Sequence, residues 1–353
     1  MKAPAEKYQR ALLIWLFSGC FLVFGMVVVG GITRLTGSGL SITEWKVVTG
    51  AIPPMNEAEW VQEFEKYKQI PQYQQMNAHF TLSDFKFIFF WEYIHRLFGR
   101  MLGVVFMIGF IFFFFKQAIS NKLMPKLGMM FLLGGIQGFL GWYMVSSGLT
   151  QNVRVSHIRL AIHLTFAFIT FGYIFWVALS EIYKQPTSNA NALTKFRNQT
   201  AILLVLVTVQ IIYGAFVAGT KAGMIYNTWP KMGDDWMPES ISFALQNDGW
   251  MSLVNNLPSV QFIHRMMAYF ITVFIALISY RVLKSSVVSA EQRKAVYLLL
   301  TGIVLQVVLG ITTLLLHVPI WLGVLHQAVA FFLFGGCIYL YRRLQFSASP
   351  AIR

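Results

Sequence analysis

Eight stretches of the chain are almost continuously apolar, at roughly 11–32, 85–115, 127–149, 157–179, 200–219, 260–283, 295–317 and 319–341. Each supplies the about 20 mostly apolar residues that a helix needs to cross a bilayer. The pattern therefore predicts eight transmembrane helices. No proline interrupts any of them. Most connections are short, but 33–84 and 220–259 are long, polar and rich in Gly, Pro and Trp.

Composition agrees with the pattern. The 353 residues are 56% hydrophobic and 12% charged, with a mean hydropathy of +0.59. A soluble chain carries about 25% charged residues, so a water-soluble enzyme, a nucleic-acid binder and a disordered chain are all excluded. The formal net charge of +14 reports topology. The N-terminus, alternate loops and C-terminus, from Lys2, Lys7 and Arg10 to Arg342, Arg343 and Arg353, hold 16 basic residues against Glu6, Glu181 and Glu291. That asymmetry predicts that both termini are cytoplasmic and leaves no role for nucleic acid. The first run reads as a retained anchor, too long for a signal-peptide core. With only ten residues ahead of it, a mitochondrial presequence is not expected, and a bacterial inner membrane is the simplest address. Cys20 and Cys337 both lie in apolar runs, so neither a disulfide framework nor a thiolate metal site is expected.

The two halves echo each other. EYIHR at 92–96 is matched by QFIHR at 261–265, and Gln137 by Gln306, both at an offset of 169. His163 is matched by His326 at an offset of 163, and the segment Thr36 to Trp45 by Thr220 to Trp229 at an offset of 184. Four helices per unit is an even number, so both units enter from the same side. The expected architecture is all-α and polytopic, with two parallel-repeat four-helix bundles spanning 1–180 and 181–353. Inverted repeats require an odd number.

The repeat sorts the seven histidines. His95 pairs with His264 and His163 with His326, while His79, His157 and His317 have no histidine partner and read as loop or interfacial residues. The paired four all lie on even-numbered spans, a few turns in from the same end. Each half thus presents two imidazoles on two helices, which suits axial ligation of a heme from both faces. No carboxylate-rich or thiolate cluster accompanies them, which argues against zinc or di-iron.

One feature breaks the symmetry. Glu92 precedes His95 by three residues, about 60° away on the helical wheel, and the repeat places Gln261 in the matching position. An intramembrane carboxylate is costly and points to function, as a general acid/base or a stabiliser of positive charge; an ion pair with Arg96 or Arg100 is the structural alternative. Arg96 and Arg265 each follow a paired histidine and suit either propionate binding or interfacial anchoring. The long loops read as lids over the bundles, and 57–86 as a short amphipathic helix whose acids face solvent.

In content and order, GGITRLTGSGLSITEW (30–45), GAIPP (50–54), FFWEYIHRLFGR (89–100), AGMIYNTWP (222–230) and VQFIHRMMAY (260–269) resemble the motifs of the heme A synthase family, over about Gly30 to Phe331. The absence of a cysteine pair in the outer loops is similar to the branch shared by mitochondria and proteobacteria. The resemblance implies oxidation of a ring methyl of heme O to a formyl, giving heme A for terminal oxidases, by two hydroxylations and loss of water. It implies that substrate heme lies between His95 and His163 in the N-terminal half, with Glu92 at the reacting edge. A resident heme B would sit between His264 and His326 in the C-terminal half. It further implies contact with the farnesyltransferase that makes heme O and with a ferredoxin-like or quinol electron donor. A diheme B electron carrier without oxidase chemistry is the main alternative, opposed by the Glu92/Gln261 asymmetry. A transporter or heme chaperone is opposed by the unbroken spans.

Overall fold

A computed structural model describes residues 7–45, 49–149 and 153–347. Lys2, Glu6 and Arg353, used above in the charge asymmetry, lie outside the described residues. Eight helices among those described are long and apolar enough to cross a membrane. They are α1 (Gln9–Leu35), α3 (Leu82–Phe115), α4 (Met124–Leu149), α5 (His157–Ile182), α6 (Thr194–Thr220), α9 (Leu257–Lys284), α10 (Ala290–Leu315) and α11 (Ile320–Arg343). Between them lie three short helices, α2 (Glu57–Lys68), α7 (Glu239–Asp248) and α8 (Ser252–Asn255). The only strands among the described residues are Gln185–Pro186 and Phe346–Ser347, an antiparallel pair two residues long.

Local sequence sets the helix starts. Thr81 and Asp84 form a reciprocal capping box at the head of α3, with the Thr81 amide donating to Asp84 Oδ2 at 2.8 Å. Asn256 caps α9 through Ser259, with Pro258 in its first turn, and Ser289 with Gln292 repeats the capping box at α10. The amphipathic helix expected over 57–86 is shorter: α2 ends at Lys68, and α3 begins at Leu82. Pro71 accounts for the break, since the residue before a proline is pushed out of helical conformation. The acids of α2 are partly committed. Glu59 accepts from the Met55 amide at 2.7 Å, and Glu63 and Glu65 pair with Lys66 and Lys68.

The chain divides into two compact units, Met1–Thr170 and Phe171–Arg353, the boundary falling inside α5. In the first, α1 packs along α3. The Trp15 indole donates to the Val105 carbonyl at 3.0 Å and lies directly over Gly109, where no Cβ fits. A second apolar cluster forms above the bundle. Leu40 of the lid and Phe64, Tyr67 and Ile70 at α2 enclose Phe85, Ile88 and Phe89 of α3 and Val145 of α4. Burial pushes the Tyr67 phenol up to about 12; it donates to Gln72 Oε1 at 3.0 Å, and Gln72 in turn donates to the Gly37 carbonyl at 3.2 Å. Gly37 has a φ of 72°, which a residue with a Cβ rarely adopts. In the second unit α6, α9, α10 and α11 pack together, and Phe171 lies 3.9 Å from Phe331, centroid to centroid.

Phe85 is fully buried at the centre of the lid cluster. We expect Phe85→Ala to cost about 3–5 kcal/mol locally and to loosen the lid before the bundle. Limited proteolysis of the detergent-purified protein should then cut within 57–80 at least several-fold faster than in the parent chain.

Candidate functional site

The four paired histidines occupy the same kind of place in four helix pairs. An ideal Cβ built on Gly30 of α1 would lie 3.1 Å from His95 Cε1 on α3, and one on Gly141 of α4 would lie 3.2 Å from His163 Cε1 on α5. In the second unit the contacts are Gly214 of α6 with His264 of α9, at 3.3 Å, and Gly310 of α10 with His326 of α11, at 2.9 Å. Each imidazole thus rests against the bare backbone of its neighbouring helix. His95 and His163 belong to the first compact unit, and His264 and His326 to the second.

Three of the four rings also meet a glutamine amide. Gln137 Nε2 lies 3.3 and 3.4 Å from Nδ1 and Nε2 of His163, Gln210 Nε2 3.2 and 3.4 Å from those of His264, and Gln306 Nε2 3.3 and 3.2 Å from those of His326. Gln137 and Gln210 donate in addition to the backbone carbonyls of His163 and His264, at 3.2 and 3.0 Å. Each glutamine precedes its glycine by four residues, so both face the same imidazole. The sequence marks Gln137 and Gln306 only as an echo and leaves Gln210 and the four glycines unnoticed. A Gln-x-x-x-Gly spacing at 137/141, 210/214 and 306/310 was the available signal.

The lids are fastened to the histidine helices at the residue that follows His95 and His264. Arg96 Nη2 donates to the Ile42 carbonyl at 2.8 Å and Nη1 to the Glu44 carbonyl at 2.9 Å. Arg265 Nη2 donates to the Tyr226 carbonyl at 2.7 Å and Nη1 to the Lys231 carbonyl at 3.0 Å. Ile42 and Tyr226 are separated by the same 184 residues that relate the two lids. Tyr93 and Tyr269 reinforce these clamps through the carbonyls of Ala51 and Pro230. The guanidinium groups thus tie each lid to its helix.

Glu92 is 3% exposed. Its Oε1 accepts from Arg96 Nη2 at 2.7 Å and Nε at 3.1 Å; its Oε2 accepts from the Ser41 hydroxyl at 2.7 Å and the Ile42 amide at 2.8 Å. The carboxylate thus joins the first lid to the arginine clamp. Gln261 makes a thinner version of the link, donating to the Tyr226 carbonyl at 3.2 Å. A cavity of about 130 Å³ lies beneath the first lid, lined by Glu44, Trp45, Arg96 and Trp142 among others. The Trp45 ring carries the Arg96 guanidinium at 4.7 Å and reaches to 3.8 Å from the position of a Gly141 Cβ, beside His163.

The remaining histidines lie apart from these sites. His79 sits in the lid edge-on to Phe80, His157 begins α5, and His317 occupies the turn between α10 and α11 with a φ of 60°. Cys20 and Cys337 are buried and unpaired with each other. Among the described residues no three His, Cys, Asp or Glu side chains gather as a metal site. Two imidazoles per unit, each kept in place by a glycine, fit a heme, whose macrocycle leaves only two axial positions for the protein.

Known proteins point the same way. A profile of the cytochrome oxidase assembly protein family matches residues 13–338. The chain is 48% identical to a heme A synthase of Flavobacterium psychrophilum, covering 96% of this chain and 99% of that protein. It is 45% identical to that of Flavobacterium johnsoniae with the same coverage, and 44% identical to that of Bradyrhizobium diazoefficiens over 94% of this chain and 90% of that one.

Arg96 pairs with the Glu92 carboxylate at 2.7 Å, and removing it strips a buried charge of this cation. Arg96→Ala should cost about 3–5 kcal/mol and lower the thermal midpoint of the detergent-purified protein. Arg265→Ala, which strands no carboxylate, should lower it less. Equal losses would show that the carboxylate is not the reason.

Proposed function

The chain belongs to the cytochrome oxidase assembly protein family, alongside the heme A synthases, and from that premise we propose that it is a membrane-bound oxidoreductase converting heme O to heme A. The reaction takes a ring methyl to a formyl, a four-electron oxidation of the substrate, by two hydroxylations and loss of water. The observation that carries the reading is the pair of imidazoles in each unit together with the Glu92/Gln261 difference between them. One unit has a carboxylate beside its imidazoles, and the other has an amide that neither carries charge nor accepts a proton at neutral pH.

In this assignment the N-terminal half, 1–180, takes the substrate, with His95 and His163 as axial ligands. The C-terminal half, 181–353, holds a resident heme B through His264 and His326, and when bound that heme relays electrons. Glu92 stands one turn before His95 and serves the reacting edge as a general acid/base, or as a fixed negative charge opposite developing positive charge. The lids exclude water from both sites, and Arg96 keeps the carboxylate fixed between lid and substrate. A bacterial inner membrane, with both termini cytoplasmic, agrees with the charge distribution. Heme O then arrives from its farnesyltransferase, and electrons arrive from a ferredoxin-like or quinol donor.

Two measurements test the assignment. Hemes extracted from the purified protein should comprise heme B together with heme O, heme A or a hydroxylated intermediate; heme B alone, persisting after addition of heme O and reductant, would indicate an electron carrier. Glu92→Gln should keep both hemes and lower heme A formation by about 10²–10⁴-fold, whereas His264→Ala should remove the heme B spectrum. Unchanged heme A formation in Glu92→Gln would refute the role of the carboxylate.

A further inference from the structure

The imidazole sites depart from their common plan at one helix pair. Where Gln137, Gln210 and Gln306 stand four residues before Gly141, Gly214 and Gly310, the first span has Met26 before Gly30. Met26 is related to Gln210, and Gly30 to Gly214, by the same offset of 184 that relates the lids. The methionine lies alongside the histidine helix: its Cε is 3.6 Å from where a Cβ of Gly99, one turn after His95, would stand. His95 Nδ1 is accordingly buried without a hydrogen-bond partner, whereas each of the other three rings has an amide within 3.2–3.4 Å of both its nitrogens.

The difference matters for a ligand histidine. An imidazole that binds iron through Nε2 carries its proton on Nδ1, and an acceptor for that proton orients the ring and strengthens the ligand. The three glutamines carry such an acceptor: Oε1 of Gln137, Gln210 and Gln306 is buried without a partner. A thioether is a weak acceptor.

We propose that Gln137, Gln210 and Gln306 are positioning residues that make His163, His264 and His326 firm axial ligands, and that Met26 makes His95 the exchangeable one. This rests on the reading of the four histidines as axial ligands. Both ligands of the resident heme are then supported, so it stays. The substrate site has one supported ligand, His163, and one unsupported. The iron–Nε2 bond to His95 breaks first, its electron pair returning to the nitrogen, so a tetrapyrrole enters and leaves from the α1–α3 side while His163 retains its hold. The carboxylate of Glu92 and the thioether of Met26 are thus two departures from the common plan at the same histidine, one concerned with chemistry and one with turnover of the bound molecule.

The test uses the full-length, heme-loaded protein in detergent, with excess apomyoglobin as acceptor and the pyridine spectrum to identify each heme released. In the parent chain heme O or heme A should leave well before heme B. Met26→Gln should slow release of the substrate-site heme roughly tenfold and shift its low-spin electron-resonance signal toward that of the resident heme; Met26→Leu should release as the parent does. Gln210→Met should speed loss of heme B roughly tenfold, and Gln210→Glu, which restores an acceptor, should reverse the loss. Parent-like release and an unmoved resonance signal in both Met26→Gln and Gln210→Met would overturn the proposal while leaving the two-heme reading intact. A parent protein that takes up only one heme would overturn the two-heme reading, and this proposal with it.

Discussion

The contact on which the rest of the structure depends is an imidazole ring resting on a helix backbone. A side chain of any size at Gly30, Gly141, Gly214 or Gly310 would meet Cε1 of the facing histidine. Bare backbone at these points lets helices approach closely, as small residues do throughout membrane interiors where water supplies no force between apolar surfaces. It also fixes where the ring lies. Everything else is arranged along the same two helices: the glutamine one turn away on the neighbour, and the arginine clamp one residue beyond His95 and His264. His95 and His264 therefore share a helix with their lid anchors, and Gln210 faces the His264 ring from the neighbouring one.

Glu92 combines two demands that pull against each other. As a link in the lid it accepts four hydrogen bonds, from Ser41, Ile42 and twice from Arg96, which stabilises a fixed, buried anion. In the proposed reaction it must also face the substrate. The lid contacts of Glu92 and the ring of His95 lie on one side of α3, so the bonds that fasten the lid also fix the charge. Gln261 keeps the mechanical half of this arrangement, through the Tyr226 carbonyl, without the charge.

Much of this was legible in the chain because membranes leave few options. Eight apolar runs become eight helices, each extended a few residues beyond the apolar stretch into its polar flanks. The duplicated EYIHR and QFIHR segments identify ligand candidates because a polar side chain in a span is expensive and a repeated one more so. What escaped has a physical reason. The glycines are inconspicuous among the 27 in the chain, and their role appears only when the partner helix is placed beside them. Gln210 has no histidine near it in sequence; it meets His264 across 54 residues. The extent of α2 was overestimated because its amphipathic pattern continues past Pro71 into α3.

The capping box at Thr81 and Asp84 does more than begin a helix. It sets the rotational phase of α3, and every residue inserted between it and His95 turns the imidazole by about 100° around the axis. Upstream of Thr81 no such constraint exists: the first lid is free to be longer than the second, and α2 with its own apolar cluster fills the extra length. An insertion upstream of Thr81 leaves that phase unchanged, whereas one between Thr81 and His95 does not. The chain can lengthen its cover without altering the angle at which it presents His95.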